Sequence, residues 1–211
     1  MMKNIAAVSS LSITTMLGLA GFALAQDVKP AEPPLTPQEQ AEKAVRDQCK
    51  NSICEVFTSK NVEGTDIACD LTKTVRKDKI EQEYLGNKFS WPWGNARCKA
   101  NVNIKREMLV KAATVDGYVS TLPKNALSCE LFKGEGGEKY EMSLTVAPKV
   151  TWKGGKADSV ELNIADIDGA ALAQGGIWTI AKANSYFGVL DEPVKNKLNE
   201  LVTQWCAGIK D

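Results

Sequence analysis

The sequence predicts an α+β fold: an antiparallel β-sheet packed against N-terminal and C-terminal helices and crosslinked by disulfides. Apolar residues recur with helical spacing near both ends of the chain and alternate with polar residues through its middle. The chain also carries six cysteines and no histidine. The first two observations predict the elements, and the third predicts how they are held together.

The N-terminal segment has the pattern of a secretory signal peptide over residues 1–25. Lys3 is followed by an uncharged, mostly apolar run to Phe22, and Ala23-Leu24-Ala25 supplies the small residues that signal peptidase accepts. The serines and threonines in the run argue against the alternative, a retained membrane anchor. We therefore expect cleavage after Ala25, a proline-rich linker over 26–36, one domain over 37–211 and a periplasmic location.

The first helix is predicted to begin at Pro37 and to reach about Lys60. Thr36 is placed to cap it, proline is favoured at the first helical position, and Glu39 completes a Thr-x-x-Glu capping box. Apolar residues every four positions predict one buried stripe, with Ala44 and Val56 beside it: Ala41, Val45, Cys49, Ile53 and Phe57.

The middle of the chain predicts strands, because apolar residues alternate around Cys69, Cys98 and Cys129. Residues 138–166 predict a long antiparallel hairpin with one buried face, a turn at Gly154-Gly155 and a bulge or edge position at Pro148. Toward the C-terminus, residues 170–186 permit a helix, and Asp191 is expected to cap another. The apolar face of that last helix comprises Val194, Leu198, Leu201, Val202, Trp205 and Cys206.

An even number of cysteines in an exported protein favours disulfides over metal binding or a reactive thiol. We expect all six to be bonded: Cys49, Cys54, Cys69, Cys98, Cys129 and Cys206. Cys49 and Cys54 lie about 140° apart around one helix, so they are not expected to bond each other. The expected pairs are Cys98–Cys129, Cys54–Cys69 and Cys49–Cys206.

Several classes of function are disfavoured by composition. Without histidine the chain lacks every Ser-His or Cys-His nucleophile and the commonest metal ligand. The 26 basic and 26 acidic residues balance, which disfavours nucleic acid as a partner. Asp166-x-Asp168-Gly169 lacks the later ligands of a calcium loop, so a turn and a helix start are expected there instead. We expect no metal and no cofactor.

Two features invite a functional interpretation. Trp91-Pro92-Trp93 forms either an aromatic platform that contacts a ligand or partner, or a loop whose indoles close the edge of the core. The interpretation as part of the core is favoured, because Phe89 lies beside them. Glu81 and Glu83 could serve a glycosidase as paired carboxylates, but a solvated charged face explains them better.

Two segments carry a resemblance to known sequences: Cys-Asp-Leu-Thr-Lys-Thr at 69–74 and Trp-Pro-Trp-Gly-Asn-Ala-Arg-Cys at 91–98. With the Val-Thr-Trp-Lys-Gly-Gly-Lys turn at 150–156, they resemble an uncharacterised family of small exported proteins from alphaproteobacteria. The resemblance implies export and disulfide bonding, and it implies no activity or site residues.

These observations predict a non-enzymatic periplasmic protein with a binding or structural role in the cell envelope. Its partner would be an envelope protein or a small apolar or saccharide ligand, and no membrane span would remain after cleavage of the signal. The alternative is a carboxylate-dependent hydrolase of cell-wall material, which requires two carboxylates about 5 to 9.5 Å apart in a cleft.

Overall fold

A computed structural model describes residues 33–86, 90–134, 137–169 and 190–209 of the chain. The expected signal peptide, most of the linker and the helix-permissive residues 170–186 lie outside the described residues. From α1 onward, the elements belong to one unit, Leu35–Asp211.

The described helices are α1 (Pro37–Ser59), α2 (Lys77–Lys79), α3 (Arg106–Thr114), α4 (Asp191–Glu200) and α5 (Cys206–Gly208). Two π-helical turns, Ile80–Tyr84 and Leu201–Trp205, continue α2 and α4. The described strands are β1 (Ile67–Val75), β2 (Ala96–Ile104), β3 (Tyr118–Thr121), β4 (Asn125–Phe132), β5 (Lys139–Val146), β6 (Lys149–Lys153), β7 (Lys156–Glu161) and β8 (Ile164–Gly169). Antiparallel strands flanked by helices confirm the predicted α+β class.

The strands divide between two antiparallel sheets. The larger sheet has the order β1-β2-β4-β5-β8, and the smaller has the order β3-β6-β7. The elements α2, α3 and β3 are not predicted from the sequence. Strand β3 belongs to the smaller sheet and α3 packs against it, and both help to form the site described below.

The predicted hairpin over residues 138–166 has the expected antiparallel pairing, but each of its two arms is broken into two strands. Val146 lies opposite Ile164 and Lys149 lies opposite Glu161, so the register continues across the interruption. Gly154 and Gly155 form the turn with φ of 56° and 70°, a conformation that glycine adopts without steric cost. The predicted single buried face is wrong, because the β5–β8 half joins the larger sheet and the β6–β7 half joins the smaller. Pro148 lies in the break between β5 and β6.

Helix α1 begins as predicted. Thr36 accepts a hydrogen bond from the Glu39 amide at 3.2 Å, and the Glu39 carboxylate accepts one from the Thr36 amide at 2.7 Å. The buried stripe is confirmed only in the C-terminal half of the helix. In the N-terminal half Ala41 and Val45 are exposed, whereas Glu39 and Glu42 are buried.

The free edge of β1 explains this reversal. An edge strand presents backbone groups that need hydrogen-bond partners, and α1 supplies them with polar side chains. Arg46 donates to the Thr72 carbonyl at 2.8 Å, and Glu42 accepts from the Thr74 amide at 2.7 Å. The N-terminal half of α1 therefore contacts β1 through charged groups instead of apolar ones.

Both buried carboxylates are held ionised. A two-pronged hydrogen bond from Arg76, with N–O distances of 2.8 and 3.0 Å, lowers the pKa of Glu39 from 4.5 to about 2 against the opposing effect of burial. Burial alone would raise the pKa of Glu42. Hydrogen bonds from Gln38, Thr74 and Arg97 outweigh that effect, so the pKa of Glu42 is lowered.

All six cysteines are bonded, as predicted, and one of the three expected pairs is confirmed. Cys98 and Cys129 lie opposite each other on β2 and β4 and are bonded. The other two expected pairs, Cys54–Cys69 and Cys49–Cys206, are wrong, because Cys49 bonds Cys69 and Cys54 bonds Cys206. Cys49 packs with Ile67 and Cys69 of β1. Cys54, about 140° further around α1, faces the C-terminal helices instead.

The C-terminal helix packs with the expected apolar face, since Val194, Leu198 and Val202 lie against the smaller sheet. Asp191 does not cap it: the capping residue is Leu190, and the Asp191 carboxylate accepts a hydrogen bond from the Leu162 amide at 3.1 Å. Trp205 lies at the margin of this face. Its indole donates to Asn51 at 2.9 Å, and the Lys50 ammonium lies 4.1 Å from its ring centroid.

Candidate functional site

An apolar cavity of about 160 Å³ lies between α1, α3, the smaller sheet and the C-terminal helices. It is lined by Ile53, Phe57, Ile104, Met108, Leu109, Ala112, Ser120, Leu122, Pro148, Val150, Trp152, Val160, Val194, Leu198, Leu201 and Val202. Almost all of this wall is carbon. A water molecule in a space of this chemistry would lack hydrogen-bond partners, which favours an apolar occupant.

The two helices on one side of the cavity supply residues at helical spacing. Ile53 and Phe57 stand one turn apart on α1, and Met108 and Ala112 stand one turn apart on α3. Ala112 is buried, with 1% of its surface exposed, and its methyl group leaves room that a larger side chain would fill. The short side chain at this position therefore helps to keep the cavity open.

The smaller sheet and α4 form the opposite wall. Val150 and Trp152 project from β6 on the same face, because side chains two apart in a strand point the same way. Val194 and Leu198 lie one turn apart on α4, and the π-helical turn adds Leu201 and Val202. Such π-helical turns occur frequently at functional sites in proteins.

Helix α4 is held at the edge of β7 by the side chain of Asn199, which forms two hydrogen bonds with the backbone of β7. The Asn199 amide accepts from the Ala157 N–H at 2.8 Å and donates to the Ala157 carbonyl at 2.9 Å. The Cys54–Cys206 disulfide ties α1 to the C-terminal end of the same wall. Covalent and hydrogen-bond restraints therefore hold two walls of the cavity in place.

The polar groups in the wall bond each other. The Trp152 indole N–H donates to the Ser120 hydroxyl at 2.9 Å, and that hydroxyl donates to the Val150 carbonyl at 3.4 Å. Ser120 and Trp152 are both buried. Among the described residues, no buried side-chain nitrogen or oxygen lacks a hydrogen-bond partner.

The volume of the cavity has a large energetic cost. At about 24 cal/mol per Å³, an enclosed and unfilled space of 160 Å³ would destabilise a fold by about 4 kcal/mol, and the partial opening of this cavity to solvent reduces that cost. A typical domain is stable by only about 5 to 15 kcal/mol, so the cost is a large fraction of the total. An apolar ligand of about the size of benzene fits such a volume and would recover part of this energy.

The two tryptophans of the Trp91-Pro92-Trp93 segment lie in the hydrophobic core of the larger sheet, away from this cavity. Trp91 and Trp93 are 5% and 6% exposed, and their rings pack edge to face with centroids 4.7 Å apart. The Trp91 indole donates to the Gly94 carbonyl at 2.8 Å. This burial matches the alternative in which the indoles close the core, and it leaves little indole surface for contact with a ligand.

The candidate glycosidase carboxylates have structural partners. Glu81 accepts a hydrogen bond from the Trp91 amide at 3.1 Å, and Glu83 lies 3.5 Å from the Lys79 ammonium. Glu81 therefore helps to position the segment that carries the buried tryptophans. This role explains its presence without catalysis.

A second, polar groove of about 370 Å³ lies on the larger sheet and is lined in part by Lys99, Glu130, Glu141 and Asp168. A hydrogen bond from Lys139 lowers the pKa of Glu130. A glycosidase general acid needs a raised pKa, so Glu130 is unsuited to that role.

The Asp166-x-Asp168-Gly169 segment lies in β8, so the expected turn and helix start are wrong. Among the described residues, no cluster of three or more histidine, cysteine, aspartate or glutamate side chains could hold a metal ion.

The sequence indicated part of the cavity. Its residues on α1, β6, β7 and α4 were assigned to buried faces, but Met108, Leu109, Ala112, Ser120 and Leu122 were not. The run Glu-Met-Leu-Val-Lys-Ala-Ala at 107–113 is rich in strong helix formers, and that signal could have predicted α3.

Comparison with known proteins adds no relative: no family model, no curated protein and no solved structure matches the chain. Within the described part of the chain, none of the helices has both the length and the apolar character needed to cross a membrane.

Proposed function

We propose that this is a non-enzymatic periplasmic binding protein of the cell envelope, which holds the apolar part of its ligand in the cavity lined by Ala112 and Trp152. The observation that carries the proposal is the cavity itself, with its nearly all-carbon wall and its volume of about 160 Å³. Ligand pockets are lined mostly by hydrophobic side chains, and this one is smaller than the usual range of about 300 to 1,000 Å³, so it suits a small apolar group.

The energetic cost of the cavity supports a role in binding. Larger side chains at positions such as Ala112 would fill the space and recover stability, as cavity-filling substitutions commonly do. A ligand that enters the cavity recovers the same energy only when it is bound. Ligand binding therefore gives a physical reason for a cavity that would otherwise be only a packing defect.

The proposed location rests on the N-terminal segment and on the disulfides. Residues 1–25 carry the signal-peptide pattern, and cleavage after Ala25 would leave Gln26 as the first residue. Three disulfides join all six cysteines. Disulfides form and persist in oxidising compartments such as the bacterial periplasm.

The carboxylates favour binding over hydrolysis. Glu81 bonds the Trp91 amide, and the pKa of Glu130 is shifted opposite to the need of a general acid. The chain has no histidine to act as a base. We therefore place the hydrolase alternative second, although the carboxylates of Glu130, Glu141 and Asp168 line the polar groove on the larger sheet.

Native mass spectrometry tests the proposal. The protein is purified gently from the periplasm of its own organism, together with Ala112→Leu, which fills the cavity. As the matched control, Ala157→Leu changes a buried alanine of the same core that does not line the cavity.

We expect the wild-type protein to carry an added mass that is lost on denaturation. The control should keep this mass if it folds, and Ala112→Leu should lack it. The same added mass on Ala112→Leu, or bare wild-type protein, would contradict the proposal. The expected mass of the polypeptide corresponds to residues 26–211 with three disulfides.

A further inference from the structure

We propose that Ser120 sets the class of ligand: by bonding the Trp152 indole it keeps the cavity free of hydrogen-bonding groups, so the site selects a hydrocarbon group. This inference rests on the proposed function, since it concerns what the same cavity binds. It assigns Ser120 as a specificity-determining residue.

The two side chains meet across neighbouring strands. Ser120 of β3 lies opposite Val150 of β6, and Trp152 is two residues further along β6 on the same face. The Trp152 nitrogen and the Ser120 oxygen are 2.9 Å apart, and the two residues are 7% and 5% exposed. The bond is therefore formed inside the cavity wall, away from solvent.

The hydrogen-bonding capacity of the pair is directed into the wall. An indole has a single donor, and in Trp152 it is used by Ser120. The one donor of the Ser120 hydroxyl points to the Val150 carbonyl. Almost none of the polar surface of the pair faces the open space, because the wall is nearly all carbon. Both donors of the pair are used, so an acceptor atom of a ligand would be buried without a partner.

The cost of an unpaired polar atom decides which ligands bind. A buried donor or acceptor without a partner loses its hydrogen bonds to water and gains nothing in return. Benzene and pyridine measure this cost directly, because they have nearly the same shape and differ by one acceptor nitrogen. We expect the wild-type protein to bind pyridine at least about tenfold more weakly than benzene.

Replacing Ser120 by alanine should change this preference. Ser120→Ala removes only the hydroxyl, which leaves the Trp152 N–H without a partner beside the space that the hydroxyl occupied. Pyridine could then accept from the indole, whereas benzene could not. We expect the ratio of pyridine to benzene dissociation constants to fall at least about fivefold. Ser120→Thr keeps a hydroxyl and should keep the wild-type ratio.

The experiment is isothermal titration of the full mature protein and the two variants with benzene and with pyridine at pH 7.5. The comparison of ratios removes the difference in hydration between the two probes, since it is the same for every variant. If Ser120→Ala does not fold, Ser120→Cys takes its place, because a thiol is a weak acceptor and the ratio should again fall below that of the wild type.

Equal affinities of the wild-type protein for the two probes would overturn the assignment of Ser120 and leave the cavity as a binding site. A pyridine-to-benzene ratio that is the same in Ser120→Ala and in the wild-type protein would also overturn it. Failure of the wild-type protein to bind benzene would instead overturn the proposed function together with this inference.

Discussion

At the scale of single residues, the clearest feature is the use of charge where apolar packing was expected. Glu39 and Glu42 are buried on α1, yet each has several hydrogen-bond partners, among them Arg76 and Arg97. A buried charge is tolerated when it is paired and hydrogen-bonded. These residues bond the edge strand and its neighbours, so they contribute to the position of α1 as well as to stability.

The Glu39–Arg76 pair predicts a loss of stability in acid. The pKa of Glu39 is about 2 in the folded protein against an ordinary value of 4.5, so its contribution is complete above about pH 4.5. It is lost as the pH falls from about 4.5 toward 2, because protonation removes the ion pair. Glu39→Gln should lower the free energy of unfolding at pH 7 by about 1 to 2 kcal/mol and flatten its pH dependence below pH 5.

Urea denaturation of the wild-type protein and of Glu39→Gln at pH 7, 5, 4 and 3 measures this difference. Glu107→Gln is the control, because Glu107 pairs with Lys111 on an exposed surface of α3, where ion pairs contribute little. If the difference between wild type and Glu39→Gln stays constant from pH 7 to 3, the role assigned to the Glu39 carboxylate is wrong.

At the scale of elements, two edge strands are bonded by side chains of neighbouring helices. Glu42 and Arg46 of α1 bond the backbone of β1. Asn199 of α4 bonds both backbone groups of Ala157 on β7. Edges treated in this way are protected from pairing with another chain. The same bonds set the position of the helices that form the cavity.

Asn199 offers a direct test of how α4 is held. Asn199→Ala removes both hydrogen bonds to Ala157 and leaves a partly buried amide and carbonyl without these partners. We expect the free energy of unfolding to fall by about 2 kcal/mol. Asn196→Ala, an exposed asparagine on the same helix, should change it by less than about 0.5 kcal/mol. Thermal unfolding of both variants makes the comparison, and equal effects would contradict this role of Asn199.

The disulfides should differ in their contributions to stability because they close loops of different length. Cys54–Cys206 spans 152 residues, whereas Cys49–Cys69 spans 20. The chain-entropy model gives about 5 and about 3 kcal/mol for loops of these lengths. Replacing Cys54 and Cys206 together by alanine should therefore cost about 2 kcal/mol more than replacing Cys49 and Cys69.

Guanidinium denaturation of the two double variants measures the difference. Cys54 and Cys206 are both fully buried, whereas Cys69 is only partly buried, so the cavity left by the lost sulfur atoms adds to the expected difference. A larger loss from the Cys49 and Cys69 replacement would contradict the loop-length argument. Peptide mapping without reduction checks the connectivity itself.

Local patterns in the sequence predicted most elements but not how they are arranged. The capping box at Thr36 and Glu39 and the alternation in β1, β2, β4 and β5 are local, and the structure agrees with them. The cysteine pairs and the bend at Pro148 depend on contacts between distant parts of the chain. Periodicity indicated that Cys49 and Cys54 face different ways, but not which of them faces β1.

At the scale of the whole molecule, the cores of the two sheets differ in how completely side chains fill them. The core of the larger sheet is filled by bulky groups such as Trp91, Trp93, Leu131 and Met142. The core of the smaller sheet contains the cavity. Local sequence patterns could assign residues to buried faces, but the cavity depends on how closely three helices and strands of both sheets approach one another. For that reason the candidate contact residues that the sequence offered, Trp91 and Trp93, lie in the filled core, and the sequence indicated no site at the cavity.

Thermal unfolding of the protein with and without benzene measures whether the cavity beside Ala112 binds an apolar group. Benzene at ten times its dissociation constant should stabilise the wild-type protein by about 1.4 kcal/mol, a rise in Tm of about 3 °C or more. Ala112→Leu should be more stable than wild type without benzene, by about 1 to 2 kcal/mol, and should show no further rise. An unchanged Tm of the wild-type protein in benzene-saturated buffer, or an equal rise in Ala112→Leu, would contradict the account.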